Sequence, residues 1–129
     1  MNGNVLLDTN AVIALLDNDD AVQRILRTAH SLYIAPAVLG ELQYGSHISA
    51  RPEANLQRIA GVQTETTVTH CTAQTASHYA SIRAQLKRMG RPIPMNDIWI
   101  AASAIEHSLT LLTRDSHFEH IPGLSRIAW

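Results

Sequence analysis

The stretch Val5-Leu6-Leu7-Asp8-Thr9-Asn10 constrains the chain more than any other. A short run of branched apolar residues stops at an acid followed by two small polar residues. A strand that is apolar at every position is buried on both faces, as strands of a parallel sheet are. Its abrupt end places a carboxylate at the C-terminal edge of a central strand. The crevice outside that edge is where open α/β sheets hold their ligands.

The rest of the chain alternates in a way that supports such a sheet. Ala11 to Leu16 predicts a short helix with Thr9 or Asn10 as its N-cap. Asp17-Asn18-Asp19-Asp20 breaks it and caps a second helix, which carries Val22, Ile25, Leu26 and Ala29 on one face. Leu32 to Ala35 reads as a strand, and Pro36 opens a third helix, since proline suits the first turn. Arg51-Pro52-Glu53 opens another helical segment with Leu56 and Ile59 apolar, and Thr66 to Thr69 reads as a strand. From Thr72 to Met89 runs the longest helix, with Tyr79, Ile82, Leu86 and Met89 in one stripe. Gly90 ends it, and Pro92 and Pro94 hold the next residues extended. Asn96 is placed to cap a helix from Asp97 to about His107. Leu109 to Thr113 is a further strand, and a last short one is expected within Leu124 to Trp129. Strands alternating with helices predict an α/β fold with a mostly parallel sheet and helices on both faces. The absence of a linker, repeat or low-complexity segment predicts one domain over residues 1–129.

Composition narrows the function classes. With 46% hydrophobic and 16% charged residues the chain is globular rather than disordered. A formal charge of −1 argues against a globally basic nucleic-acid binder but does not exclude nucleic-acid binding, because phosphate contacts need only a local basic patch. The single cysteine, Cys71, excludes an internal disulfide framework, fits a reducing cytoplasm and reads as a small core residue. No basic segment precedes the first apolar run, so no signal peptide is expected. No stretch approaches the roughly 20 apolar residues that span a bilayer. The expected location is cytoplasmic, with no membrane association.

Four acids carry the candidate chemistry. Asp8 ends a strand, where an aspartate also serves as an ordinary helix cap. Glu41 lies within Val38-Leu39-Gly40-Glu41-Leu42-Gln43-Tyr44-Gly45, and its neighbours one helical turn away are Ala37, Val38, Tyr44 and Gly45. None can form an ion pair with it, and the small residues leave room around its carboxylate; a solvated helical glutamate is the alternative. Asp97 opens Ile98-Trp99-Ile100-Ala101-Ala102, a helix start that is apolar on nearly every side and therefore buried. A dipole-favoured acid in a first turn is the alternative there. Asp115 follows Leu112-Thr113-Arg114 and repeats the pattern of Asp8, with a turn aspartate as the alternative. Two strand ends and two helices thus each deliver one acid to the edge where parallel strands end. Carboxylates about 4–6 Å apart repel by a few kcal/mol at an effective dielectric near 20. Such a cluster needs a divalent cation or must take up protons. Ligation by carboxylates alone, with no histidine partner nearby, fits Mg²⁺ or Mn²⁺ rather than zinc. The corresponding chemistry is metal-assisted phosphodiester cleavage.

Other features are secondary. His117 and His120 stand three apart beside Asp115 but read as supporting or surface residues rather than a metal pair. Arg83, Lys87, Arg88 and Arg91 form a basic run leading toward Asp97. It is either favourable charge at a helix C-terminus or, with Arg114, a phosphate-gripping rim around the acids. There is no P-loop, dinucleotide glycine pattern, zinc-spaced cysteine set or Ser-His-Asp arrangement.

Leu7-Asp8-Thr9-Asn10, Gly40-Glu41-Leu42 with Gly45, Asn96-Asp97-Ile98 before Ile100-Ala101-Ala102, and Leu112-Thr113-Arg114-Asp115 with His117-Phe118 resemble the PIN-domain ribonucleases, in order and over nearly the whole chain. The look-alikes are the VapC toxins of bacterial type II toxin–antitoxin pairs. The resemblance implies a three-layer α/β/α sandwich and a Mg²⁺-dependent endoribonuclease inhibited by a cognate antitoxin protein. It implies that Asp8, Glu41, Asp97 and Asp115 are the catalytic, metal-binding acids, that Thr9 and Thr113 support them, and that the chain is a homodimer acting on RNA. Trp99 departs from the smaller aliphatic residue usual in the look-alikes, and Ser108 stands where a glycine is common. An antitoxin helix is expected in an apolar groove near Val12, Leu16, Ile25 and Leu39. The competing expectations are a catalytically silent PIN-like module that only pairs with a protein, and a phosphoryl-transfer domain with Asp8 as nucleophile. The latter lacks a second acid two residues on, where Asn10 stands.

Overall fold

A computed structural model describes residues 3–129. Five strands form one sheet: β1 (Asn4–Leu7), β2 (Ser31–Ile34), β3 (Thr67–Val68), β4 (Thr110–Leu112) and β5 (Arg126–Ile127). Their order is β3-β2-β1-β4-β5 and every pairing is parallel, so the sheet is entirely rather than mostly parallel. The helices are α1 (Thr9–Leu16), α2 (Asp20–Arg27), α3 (Pro36–His47), α4 (Pro52–Thr64), α5 (Ala73–Arg88) and α6 (Met95–Glu106), with a 3₁₀ turn over Ser116–Phe118.

From β1 the chain winds outward through β2 to β3, then returns past β1 to place β4 on its other side. Right-handed crossovers in opposite directions put α1–α4 on one face and α5–α6 on the other. The reversal makes the gap between β1 and β4 a topological switch point, the position where ligand crevices form in such sheets. Val5, Leu6 and Leu7 pair with Thr110, Leu111 and Leu112 and are fully buried. Leu111 lies at the centre of this core. Truncating Leu111 to Ala is expected to cost about 2–5 kcal/mol, the range for a buried leucine cavity; a denaturant midpoint unchanged from wild type would contradict that packing.

Several local expectations change. Asp8, rather than Thr9 or Asn10, caps α1, because its carboxylate accepts the Thr9 N–H. Pro94, not Asn96, precedes α6; Asn96 is the second residue of that helix and its side chain points to another element. Ile82 and Leu86 of the α5 stripe are buried, but Met89 follows the end of the helix and is exposed. Cys71 is exposed on the loop before α5 and is not a core residue. Trp99 is accommodated by stacking on Tyr79 of α5, with ring centroids 4.1 Å apart, which joins the two helices through a flat contact. Ser108 has φ of +55°, the left-handed region in which glycine is unstrained. That conformation explains why a glycine suits the turn between α6 and β4.

Candidate metal centre

The register of β1 against β4 builds the floor of the site. Because Leu7 lies opposite Leu112, the next residues, Asp8 and Thr113, emerge side by side beyond the sheet edge. The Thr113 hydroxyl donates to Asp8 Oδ2 at 2.7 Å, and the Thr9 N–H donates to Oδ1 at 2.8 Å. Both oxygens are therefore oriented, and Asp8 is 4% exposed. Thr113 Oγ1 also accepts the N–H of Asp115 at 3.0 Å, fixing the turn that carries the second strand-end acid.

Asp97, in the first turn of α6, meets this edge from the opposite face. Its Oδ2 lies 2.7 Å from His117 Nδ1, and Asp115 Oδ1 lies 3.3 Å from the same nitrogen. Asp97, Asp115 and His117 can each offer a ligand atom within 4.8 Å of one another. The expectation of carboxylates without a neighbouring histidine is thus overturned. The 3₁₀ turn, capped by Asp115 accepting the His117 N–H, folds the imidazole back over the acids. Spacing from Asp115 was the only sequence signal for it, and it does not fix ring direction. His120 faces elsewhere, 4.0 Å from Glu119.

Glu41 reaches the cleft from α3, where it lies across from α6 and accepts a 2.6 Å hydrogen bond from the Asn96 amide. Thr9, Glu41, Asn96 and Asp97 line a shared depression. Asn96 is the polar contact that sequence reading missed, since its place before Asp97 suggested a helix cap. Replacing Glu41 by Gln keeps a hydrogen-bonding oxygen for Asn96 but removes the charge. The expected result is weaker Mg²⁺ binding by on the order of tenfold, read by calorimetry, with the melting temperature of the ion-free protein unchanged or raised. Identical Mg²⁺ affinity in the two proteins would separate Glu41 from the ion.

Electrostatics distinguish this cluster from solvated surface acids. Burial pushes the Asp8 carboxyl above its ordinary value, and the charges of Asp115 and Glu41 push the same way, against the Thr113 and Thr9 hydrogen bonds. Burial also raises Asp97, reinforced by Asp8 and Asp115 and opposed by His117. Among the described residues, no lysine or arginine lies within ion-pair distance of any carboxylate. A hard set of carboxylate oxygens, crowded and with no lysine or arginine among the described residues to balance it, has the chemistry of a divalent-cation site.

The basic residues are not gathered around the acids. Arg83 donates to the Tyr79 hydroxyl at 3.0 Å and reaches Met95, while Lys87, Arg88 and Arg91 are exposed around the end of α5. Arg114 stacks on Trp129 at 4.3 Å and borders a separate depression with Asn10, Asp17 and Asp19. The expected partner groove also shifts. Val12 is fully buried and cannot meet another protein, whereas Ile13, Tyr44 and Ile48 are the exposed apolar residues of α1 and the α3 end. A groove between α1, α3 and α4 is lined by Ile13, Leu16, Leu42 and Ile59.

Residues 5–124 match the family model of the PIN domain. The chain belongs to the PIN-domain family. Within it, the chain is 35% identical over 127 residues to the tRNA(fMet)-specific endonuclease VapC of Shigella flexneri, and 30% identical to ribonuclease VapC2 of Haemophilus influenzae, covering 96% of each chain. The VapBC complex of Salmonella typhimurium bound to DNA contains a chain with a TM-score of 0.89 and 32% identity. VapBC2 of Rickettsia felis, bound to a promoter fragment, gives 0.91 at 27% identity, with 98% of both chains covered in each comparison. The three-layer fold expected of a PIN domain and its membership of a nuclease family agree with these likenesses. No helix among the described residues is long and apolar enough to cross a membrane.

Proposed function

We propose that this PIN domain is a divalent-metal-dependent endoribonuclease and the toxin of a toxin–antitoxin pair, with RNA as substrate. The observation that carries the reading is the convergence of Asp8, Asp97, Asp115 and Glu41 on the β1/β4 switch point, with no lysine or arginine among the described residues within ion-pair distance of them. These four acids would hold Mg²⁺, and their oxygen set also suits Mn²⁺. The ion, when bound, supplies a water of lowered pKa and positive charge against the phosphodiester oxygens.

The chain's own residues prepare that site. Thr9 and Thr113 hold the two oxygens of Asp8 in fixed directions, so little reorganisation is needed when a cation arrives. Asn96 holds the long Glu41 side chain over the cleft. His117 bridges Asp97 and Asp115 and holds their carboxylates in register. The antitoxin partner is inferred from relatives found in VapBC complexes, and its helix is assigned to the groove beside Ile13, Leu16 and Ile59. A homodimer is proposed on the resemblance to the VapC toxins alone.

The test is cleavage of a mixed RNA pool by the purified protein. Cutting is expected with Mg²⁺, loss of cutting with a chelator, and recovery with Mn²⁺. Cutting that persists after exhaustive chelation would remove the metal from the mechanism. No cutting across varied RNAs, with Mg²⁺ present, would leave a protein-pairing module.

A further inference from the structure

The charge of this chain is segregated. Residues 66–96 contain Arg83, Lys87, Arg88 and Arg91 and no Asp or Glu, so this stretch carries +4 while the whole chain carries −1. Among the described residues, none of these four side chains lies within ion-pair distance of a carboxylate. Their charge is available to an external anion.

The structure connects this charge to the acidic centre. A groove between α5 and the segment leading into α6 is lined by Arg83, Leu86, Lys87, Pro94, Met95 and Ile98. The cleft holding Glu41 and Asp97 is lined by the same Pro94 and Met95. These two residues form a low apolar saddle between the two depressions, and Met95 is 58% exposed. Arg83 is already directed across the groove, anchored by the Tyr79 hydroxyl and touching the Met95 sulfur.

We infer that the α5–α6 groove is the track along which one arm of a single-stranded RNA approaches or leaves the acidic centre. Arg83 and Lys87 hold its phosphates, and the Met95–Pro94 saddle supports a base beside the reacting phosphodiester. The inference rests on the nuclease reading for the identity of the strand. A basic groove with an apolar shelf is the general design for single strands, because phosphates need charge and an unstacked base needs a face to lie on. Duplex RNA is a poorer fit, since its bases are not free to reach the saddle. Arg114, on Trp129, does not line this groove and takes no part in it.

The test measures binding apart from cutting. Fluorescence anisotropy of a labelled single-stranded RNA of mixed sequence is recorded over a salt series, in an Asp97→Asn background. Arg83→Ala and Lys87→Ala are each expected to weaken binding across all sequences. Each should also flatten the slope of log affinity against log salt by about 0.7, the value for one lost phosphate contact on a single strand. Met95→Ala is expected to weaken binding without changing the slope. Arg24→Ala and Arg27→Ala, on the exposed side of α2, serve as charge-matched controls and should have no comparable effect.

An unchanged slope in the Arg83 and Lys87 variants, or an equal change in the α2 controls, would overturn the track. So would a change of oligomeric state in those variants by light scattering, which would make the face a contact between copies. Failure of the nuclease reading is distinguishable. Wild type that cuts no RNA while the slope still depends on Arg83 and Lys87 leaves the track standing without the chemistry.

Discussion

Asp97→Asn is expected to abolish metal-dependent RNA cleavage while leaving a folded protein. The substitution is isosteric, and the amide oxygen can still accept from His117 Nδ1 if that nitrogen carries a proton. What disappears is one negative charge, on a carboxylate whose pKa is raised by burial and by the neighbouring charges of Asp8 and Asp115. A neutral amide is a poor ligand for a hard cation, so both ion occupancy and charge stabilisation of the transition state fall. A loss of at least about 10²–10³-fold in turnover is expected, the range for removing one preorganised electrostatic element. The far-UV spectrum should match wild type, which separates lost chemistry from lost fold. Turnover within a few-fold of wild type at saturating Mg²⁺ would remove Asp97 from the centre and with it the proposed mechanism.

The second large effect is on stability, and its sign reverses with Mg²⁺. Asp8 has a pKa raised above 3.8 in the folded protein, by burial first and then by Asp115 and Glu41. The folded state therefore binds more protons than the unfolded state between 3.8 and the raised value. Stability falls as pH rises through that window and stays lower above it. Asp8→Asn has no such group. Without metal, it is expected to melt above wild type at neutral pH, and the gap should close as pH falls toward 4. A change of 1 kcal/mol moves the melting temperature of a domain this size by roughly 3–6 °C.

Mg²⁺ is expected to act in the opposite direction. Bound at the proposed site of the folded wild type, at a hundred times its dissociation constant it should add about 2.7 kcal/mol. Wild type should then overtake Asp8→Asn, whose site is impaired. A melting temperature of wild type that ignores millimolar Mg²⁺, together with an Asn variant no more stable than wild type without metal at neutral pH, would show that the acids are neither crowded nor ion-binding.

The sequence by itself determined the frame. The apolar run at Val5–Leu7, and the one at Leu109–Leu112 interrupted only by Thr110, specify doubly buried strands, because a strand with apolar residues on both faces has no face to give to water. Proline at position 36, the acids at 19 and 20, and Gly90 set the starts and stops of helices through local backbone chemistry alone. The four acids were legible because each interrupts an apolar or small-residue context. Tertiary structure alone decided how they meet. The β1/β4 register sets Thr113 against Asp8, and the direction of the 3₁₀ turn puts His117 between Asp97 and Asp115 and His120 outside. The α3–α6 approach gives Glu41 to Asn96 across 55 residues of sequence. The same approach of distant segments joins the basic groove to the acidic cleft at Met95. Local pattern fixes which side chains stand at an element's end or face. Ring direction, cross-element hydrogen bonds and groove continuity depend on how elements pack, and one sequence read alone carries no signal for that.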